Sequence, residues 1–145
     1  MSTSLGLTHF EDHTSDAYRC GLSPDGRLVI SAGQDKHVRL RTLRDSKTPS
    51  VSVSATASVS LEPTSRDPVY GALFTPDGRL IVAAGDDCRL HIWSNASGYP
   101  HQSATRISRQ ALYALAVSPD SKSVAVAGAD HRIYLIELPG PADAK

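Results

Sequence analysis

The sequence predicts an all-β chain made of three copies of one antiparallel meander. A Ser/Thr-Pro-Asp turn occurs three times, with its proline at positions 24, 76 and 119. Each turn follows a tyrosine by one fixed offset and precedes an Ala-Gly-x-Asp sequence by another. No helical spacing of apolar residues continues for more than one turn, so short strands joined by tight turns explain the pattern best.

The strands of one copy follow in order along the chain, as the second copy shows. Residues 70–74 predict a first strand, which the turn at Pro76 ends. Residues 80–84 predict a second strand because they are apolar and run up to Gly85, and residues 89–93 alternate polar and apolar as a third strand does. Residues 50–61 alternate serine or threonine with apolar side chains, which predicts a fourth, outer strand between the first and second copies.

Charge and cysteine usage exclude several classes of protein. The 15 Lys+Arg balance the 15 Asp+Glu, so we expect no nonspecific affinity for nucleic acid or for an anionic membrane. No apolar run reaches the roughly 18 residues that a membrane helix needs, and the first residues lack the layout of a signal peptide. These observations predict a cytoplasmic or nuclear protein in which Cys20 and Cys88 are reduced, buried thiols.

The repeated motif resembles the WD-repeat β-propeller family, whose blades carry Ser-Pro-Asp-Gly after the first strand and an aspartate after the second. The prolines are spaced by 52 and then 43 residues, close to the roughly 40 to 50 residues of a four-stranded blade. The resemblance implies a partial propeller of three four-stranded antiparallel blades. It places an N-terminal outer strand at about 5–12, blades at about 13–61, 65–109 and 110–138, and a tail at 139–145.

The resemblance also implies a structural hydrogen-bond network in each blade. Its members are His13, Ser31 and Asp35 in the first blade, Asp87 and Trp93 in the second, and Asp130 in the third. The chain departs from the family pattern elsewhere, with Arg41 at the first tryptophan position and Ser65 and Ser108 at later histidine positions. We therefore expect thinner networks than the family pattern supplies.

Catalytic and metal sites find little support in the sequence. Ser31, His13 and Asp35 supply the residue types of a hydrolase triad, but no Gly-x-Ser-x-Gly elbow is present to expose the hydroxyl. The histidines and cysteines lack the spacing of zinc ligands. We expect no catalytic residues, no metal and no cofactor.

Three tyrosines provide the main functional hypothesis. Tyr18, Tyr70 and Tyr113 occupy the same place in each copy, at the start of the innermost strand. The resemblance places them at the narrow end of the central channel, next to Asp16, Gln34, Pro68 and Asp86, where such propellers commonly hold a peptide of a partner. Tyrosine is enriched at binding hot spots. The alternative is that the tyrosines pack between blades as ordinary core.

The resemblance therefore implies a noncatalytic scaffold or adaptor for protein–protein interaction, with no nucleic acid or membrane partner. One alternative is a propeller enzyme of the hydrolase or lactonase type, which needs convergent acids and bases where only Asp16 and Asp86 are found. Another is a truncated copy of a longer WD-repeat protein with little independent function. Because propellers ordinarily close with about four to eight blades, we expect a homodimer, blades from another protein, or further repeats to complete the ring.

Overall fold

The computed structural model describes residues 11–43, 59–61, 65–96 and 99–140, and these residues form strands and turns without a helix. The strands are β1 Ala17–Leu22, β2 Leu28–Gly33, β3 Val38–Thr42, β4 Val59–Ser60, β5 Val69–Phe74, β6 Leu80–Gly85, β7 Arg89–Ser94, β8 His101–Arg106, β9 Leu112–Val117, β10 Ser123–Gly128 and β11 Ile133–Glu137.

The strands form three antiparallel sheets, which confirms the predicted all-β fold of propeller-type blades. The orders are β1-β2-β3-β4 in the first sheet, β5-β6-β7-β8 in the second and β11-β10-β9 in the third. Within the described ranges the third sheet has three strands rather than four. The strand predicted to complete it, at about 5–12, has residues 5–10 outside the described part, and residues 11 and 12 are not in a strand. Of the outer strand predicted at 50–61, residues 50–58 also lie outside it.

The three Ser/Thr-Pro-Asp turns share one set of hydrogen bonds. The hydroxyl of Ser23 donates to Oδ1 of Asp25 over 2.6 Å, and Thr75 and Ser118 do the same in the other copies. The same hydroxyl oxygen of Ser23 accepts from the backbone N–H of Leu28. These bonds start the second strand of each sheet directly after the turn, which fixes the pairing of the first two strands.

Two apolar cores hold the three sheets together. The first lies between the first and second sheets and includes Ile30 and Leu40 against Phe74 and Trp93. The second lies between the second and third sheets and includes Val82, Leu90 and Ile92 against Leu115 and Val124. Strand β6 is buried along its whole length because its alternate side chains serve both cores. The sheets therefore lie side by side, with the second in the middle.

Candidate functional site

The three repeated tyrosines lie side by side in a row. Each stands on the first strand of its sheet, and the first strands β1, β5 and β9 are neighbours across the sheets. The ring centroids of Tyr18 and Tyr70 are 5.3 Å apart at an interplanar angle of 41°. Those of Tyr70 and Tyr113 are also 5.3 Å apart, at 59°. These separations are within the range at which aromatic rings attract each other.

The row is open to solvent at both ends and anchored in the middle. Tyr18 is 43% exposed and Tyr113 is 54% exposed, so neither is an ordinary core residue. The hydroxyl of Tyr70 donates to Oδ2 of Asp86 over 3.1 Å. Burial, together with this carboxylate, raises the pKa of Tyr70. The row thus presents aromatic surface whose central ring has a fixed position.

The other predicted contact residues lie at the same end of the sheets as the row. The backbone N–H of Gln34 donates to the carbonyl of Asp16 over 2.8 Å, and that of Asp86 to the carbonyl of Pro68 over 2.9 Å. Each bond joins the first two strands of a sheet at the open end of their hairpin, which is the end opposite the connecting turn. The Asp16 and Gln34 side chains are exposed, whereas Pro68 and Asp86 are half-buried. Asp86 therefore contacts the row directly, and Asp16, Gln34 and Pro68 lie next to the ends of the strands that carry Tyr18 and Tyr70.

The first blade joins His13, Ser31 and Asp35 in one chain of hydrogen bonds. Nδ1 of His13 lies 2.9 and 3.0 Å from the two carboxylate oxygens of Asp35, and its Nε2 lies 2.7 Å from Oγ of Ser31. Asp35 also accepts from the backbone N–H groups of Thr14 and His37. These bonds tie the segment before β1 to the turn between β2 and β3, which positions the hairpin end beside Tyr18.

The second and third blades keep the aspartate but give it different partners. Oδ2 of Asp87 lies 2.6 Å from Nε2 of His91 and accepts from the hydroxyl of Ser65 over 3.3 Å. Asp130 accepts from the hydroxyl of Ser108 over 3.0 Å and also from that of Tyr134. The aspartate of each of these two blades therefore keeps a hydrogen-bond network, although its partners differ from those of the first blade.

The substitute partners His91 and Tyr134 were missed by the sequence reasoning. Each stands four residues after its aspartate, on the third strand of its sheet. Arg39 has the same position in the first blade, and its Nη2 lies 3.7 Å from Oδ2 of Asp35. The sequence does carry a signal that could have identified them, because a hydrogen-bonding side chain stands four residues after the aspartate in all three copies.

Trp93 lies in the first core and is 2% exposed. Its ring stacks on that of His91, with centroids 5.6 Å apart and an interplanar angle of 15°. At the matching position of the first blade, Arg41 instead donates from Nε to Asp12 over 2.8 Å. The tryptophan thus holds the histidine against Asp87, whereas the arginine forms an ion pair.

The prediction that both cysteines are buried is wrong for Cys20. Cys20 is exposed and Cys88 is half-buried, and both thiols are free. Cys20 is exposed because it pairs with Ser31 on the face of the first sheet that points away from the second sheet.

Among the described residues, no group of three potential ligands is placed to hold a metal ion, and no helix is long and apolar enough to cross a membrane.

Acid should weaken the fold through the turn aspartates. Burial raises the pKa of Asp87, but the bonds from His91 and from the backbone of Arg89 outweigh it and hold the pKa below 3.8. Because the unfolded carboxyl takes up its proton at the higher pH, this contribution to stability is complete above 3.8 and is lost as the pH falls through the lower folded value. We expect urea midpoints that fall steeply below about pH 4 as the turn aspartates are protonated. A smaller decline should begin below about pH 6.5, because burial lowers the pKa of His101 and the unfolded imidazole takes up its proton first.

The Asp87→Asn variant isolates the contribution of Asp87 from those of the other aspartates. The pKa values of Asp35 and Asp130 are also lowered, so the whole chain loses stability in acid. The variant should begin less stable and should lose less on acidification than the unchanged chain. Equal losses in the two proteins would contradict the assignment to Asp87.

Comparisons with known proteins agree with this architecture. The family model "WD domain, G-beta repeat" matches residues 6–41, 57–94 and 102–137. The SAGA complex/transcription factor TFIID complex subunit Taf5 of Schizosaccharomyces pombe is 31% identical over 87 residues, which cover 57% of this chain and 13% of that protein. Protein HIR1 of Kluyveromyces lactis is 28% identical over 102 residues, which cover 63% of this chain and 12% of that protein.

The chain therefore spans about an eighth of the length of these two relatives, 13% and 12%. The three matches to the family model fall on three successive stretches, each of which ends within the third strand of a sheet, β3, β7 or β11. Because these matches cover most of its residues, the chain belongs to the WD-repeat family of β-propeller proteins.

Proposed function

We propose that the chain is a noncatalytic scaffold or adaptor that binds a protein partner across the tyrosine row. The observation that carries this proposal is the contact of Tyr18, Tyr70 and Tyr113 in one row with its two end rings about half exposed. Tyrosine brings a large contact area with few rotatable bonds and a polar tip. The proposed contact residues are Asp16, Tyr18, Gln34, Pro68, Tyr70, Asp86 and Tyr113.

The rigidity of the surface supports binding of an extended segment of a partner. Tyr70 is held by Asp86, and the hairpin ends beside it are closed by backbone hydrogen bonds. A surface that is already ordered loses little conformational entropy when a ligand binds. A peptide that crosses the three first strands would contact the tyrosines in turn, with the hairpin ends on its flanks.

The relatives support a place in a multiprotein complex in the nucleus, with the cytoplasm as the alternative. One of them is named as a subunit of the SAGA complex and of the transcription factor TFIID complex. We expect the partner to be a protein rather than nucleic acid, since the chain has no net charge.

A propeller enzyme is the alternative in a different class. One observation favours it, because Ser31, His13 and Asp35 are bonded in the order of a hydrolase triad. The side chains of His13 and Asp35 are only 6% and 3% exposed, however, and their bonds connect the segments that hold the hairpin in place. We therefore assign these residues a structural role. A hydrolase screen in which Ser31→Ala removes a measurable turnover would overturn that assignment.

Substitution of the tyrosines tests the proposed binding surface. Tyr70→Ala and Tyr113→Ala should each weaken capture of the partner by about 30-fold, which corresponds to about 2 kcal/mol at a binding hot spot. The measurement is quantitative affinity capture followed by titration of the captured protein against each variant. Arg27→Ala is the matched control, because Arg27 is exposed on the turn between β1 and β2, away from the row.

Circular dichroism and a urea melt establish that each variant is folded before binding is compared. If both tyrosine variants are folded and bind every partner as the unchanged chain does, the proposed surface is wrong. If the unchanged chain itself shows no cooperative urea transition, the alternative of a truncated copy with little independent function is favoured instead.

A further inference from the structure

One face of the third sheet is exposed, although the equivalent face of the second sheet is buried. Ile133 is 79% exposed and Leu135 is 77% exposed. Their equivalents one repeat earlier are Leu90 and Ile92, which are 1% and 6% exposed because they pack against the third sheet. The same positions of the repeat are therefore buried in one sheet and open to solvent in the next.

Strand pairing shows that the exposed residues form one continuous apolar face. Leu135 lies opposite Ala125, which lies opposite Ala116 on the other side. Ile133, Ala127 and Ala114 form the adjacent row in the same way. We call these six residues the third-sheet face. A contiguous apolar face of this kind is typical of an interaction site.

The first sheet exposes the opposite face, whose equivalent in the second sheet packs against a neighbouring sheet. Phe74 of the second sheet is 8% exposed and packs against the first sheet. Its equivalent one repeat earlier, Leu22, is 63% exposed. Leu22 lies opposite Val29, and Cys20 lies opposite Ser31 on the same face. We call these four residues the first-sheet face.

We propose that the third-sheet face binds the first-sheet face of a second copy of this chain. The two faces correspond to the two halves of the contact that already joins consecutive sheets within the chain. A molecule that carries both halves of one interface at opposite ends associates head to tail, and it closes into a ring when the rotation allows. This contact involves none of the residues of the tyrosine row.

Charge is compatible with burial of these faces. Arg39 and Arg41 pair with Ser31 and Val29 on the first sheet, and they form ion pairs with Asp35 and Asp12. Neither arginine therefore needs to be buried without a countercharge, which would be costly.

The mass of the purified chain in solution, measured by light scattering on a sizing column, tests the proposal. The expected mass is twice 15.4 kDa for a closed pair, or a higher multiple for an open head-to-tail assembly. Leu135→Glu and Leu22→Glu should each reduce the mass to 15.4 kDa, with the circular dichroism spectrum retained. Gln102→Glu, on an exposed position of β8, adds the same charge elsewhere and should leave the assembly intact.

A mixture of the two disrupted variants distinguishes a head-to-tail contact from nonspecific association. The Leu22→Glu copy retains its third-sheet face, and the Leu135→Glu copy retains its first-sheet face, so the mixture regains one intact contact and should form pairs. A monomeric unchanged chain would overturn the proposal. So would an assembly that either glutamate variant leaves unchanged, or a mixture that stays monomeric.

Discussion

Gly85→Ala should unfold or strongly destabilise the chain, with an expected loss of about 3 kcal/mol in the free energy of unfolding. A Cβ atom at Gly85 would lie 2.2 Å from the carbonyl oxygen of Pro68 and 2.7 Å from Cα of Val69. Both atoms belong to the backbone, so no side-chain rotation can relieve the contact. Strands β5 and β6 must therefore separate at the open end of their hairpin, opposite the connecting turn. This separation also moves Asp86 away from Tyr70.

Gly71→Ala is the matched control for Gly85→Ala in a urea melt. Gly71 lies in β5 of the same sheet, and its added Cβ would meet only the side chain of Leu115 at 3.6 Å, an ordinary contact. We expect a change of less than about 1 kcal/mol for this variant. Similar midpoints for the two variants would show that the close approach at Gly85 is not required.

Trp93→Ala should cost about 4 kcal/mol, because it removes a fully packed aromatic side chain from the first core. Trp93 is 2% exposed and stacks on His91, which binds Asp87. The loss therefore combines a cavity with a loosened hydrogen-bond network.

Trp93→Phe keeps an aromatic ring at this position and should cost markedly less than Trp93→Ala. Urea or thermal melts of the two variants give the comparison. If both variants lose the same stability, the ring stacking on His91 contributes little, and Trp93 does not hold His91 in place against Asp87.

The repeat itself could be predicted from the sequence because it is local. A proline fixes the backbone of the turn, the glycines at positions 26 and 78 adopt the positive φ that it needs, and alternation assigns the strands. The strands predicted at 70–74, 80–84 and 89–93 correspond to β5, β6 and β7 within one residue at each end. The fixed offsets in the sequence also predicted that the three tyrosines occupy the same position in each copy. They form a row because the first strands of the three sheets are neighbours.

Features that depend on which side chains meet in three dimensions could not be predicted in the same way. His91 and Tyr134, four residues after Asp87 and Asp130 in the same sheet, supply the bonds that the family resemblance assigned to a histidine before the first strand. The exposure of Cys20 was missed for a related reason. Its surroundings are apolar in sequence, but the face that carries it has no neighbouring sheet in the described part of the chain.

A partner protein bound across the tyrosine row should be captured there by site-specific photocrosslinking. A photoreactive phenylalanine analogue is placed at Tyr113 in one protein and at Arg27 in another, and both are illuminated in the presence of the captured partner. Tyr113 is 54% exposed, so the analogue fits there without disturbing the core. Crosslinks to the partner are expected from position 113 and not from position 27. Crosslinks from position 27 alone, or none from 113 while the partner stays bound, would contradict binding across the row.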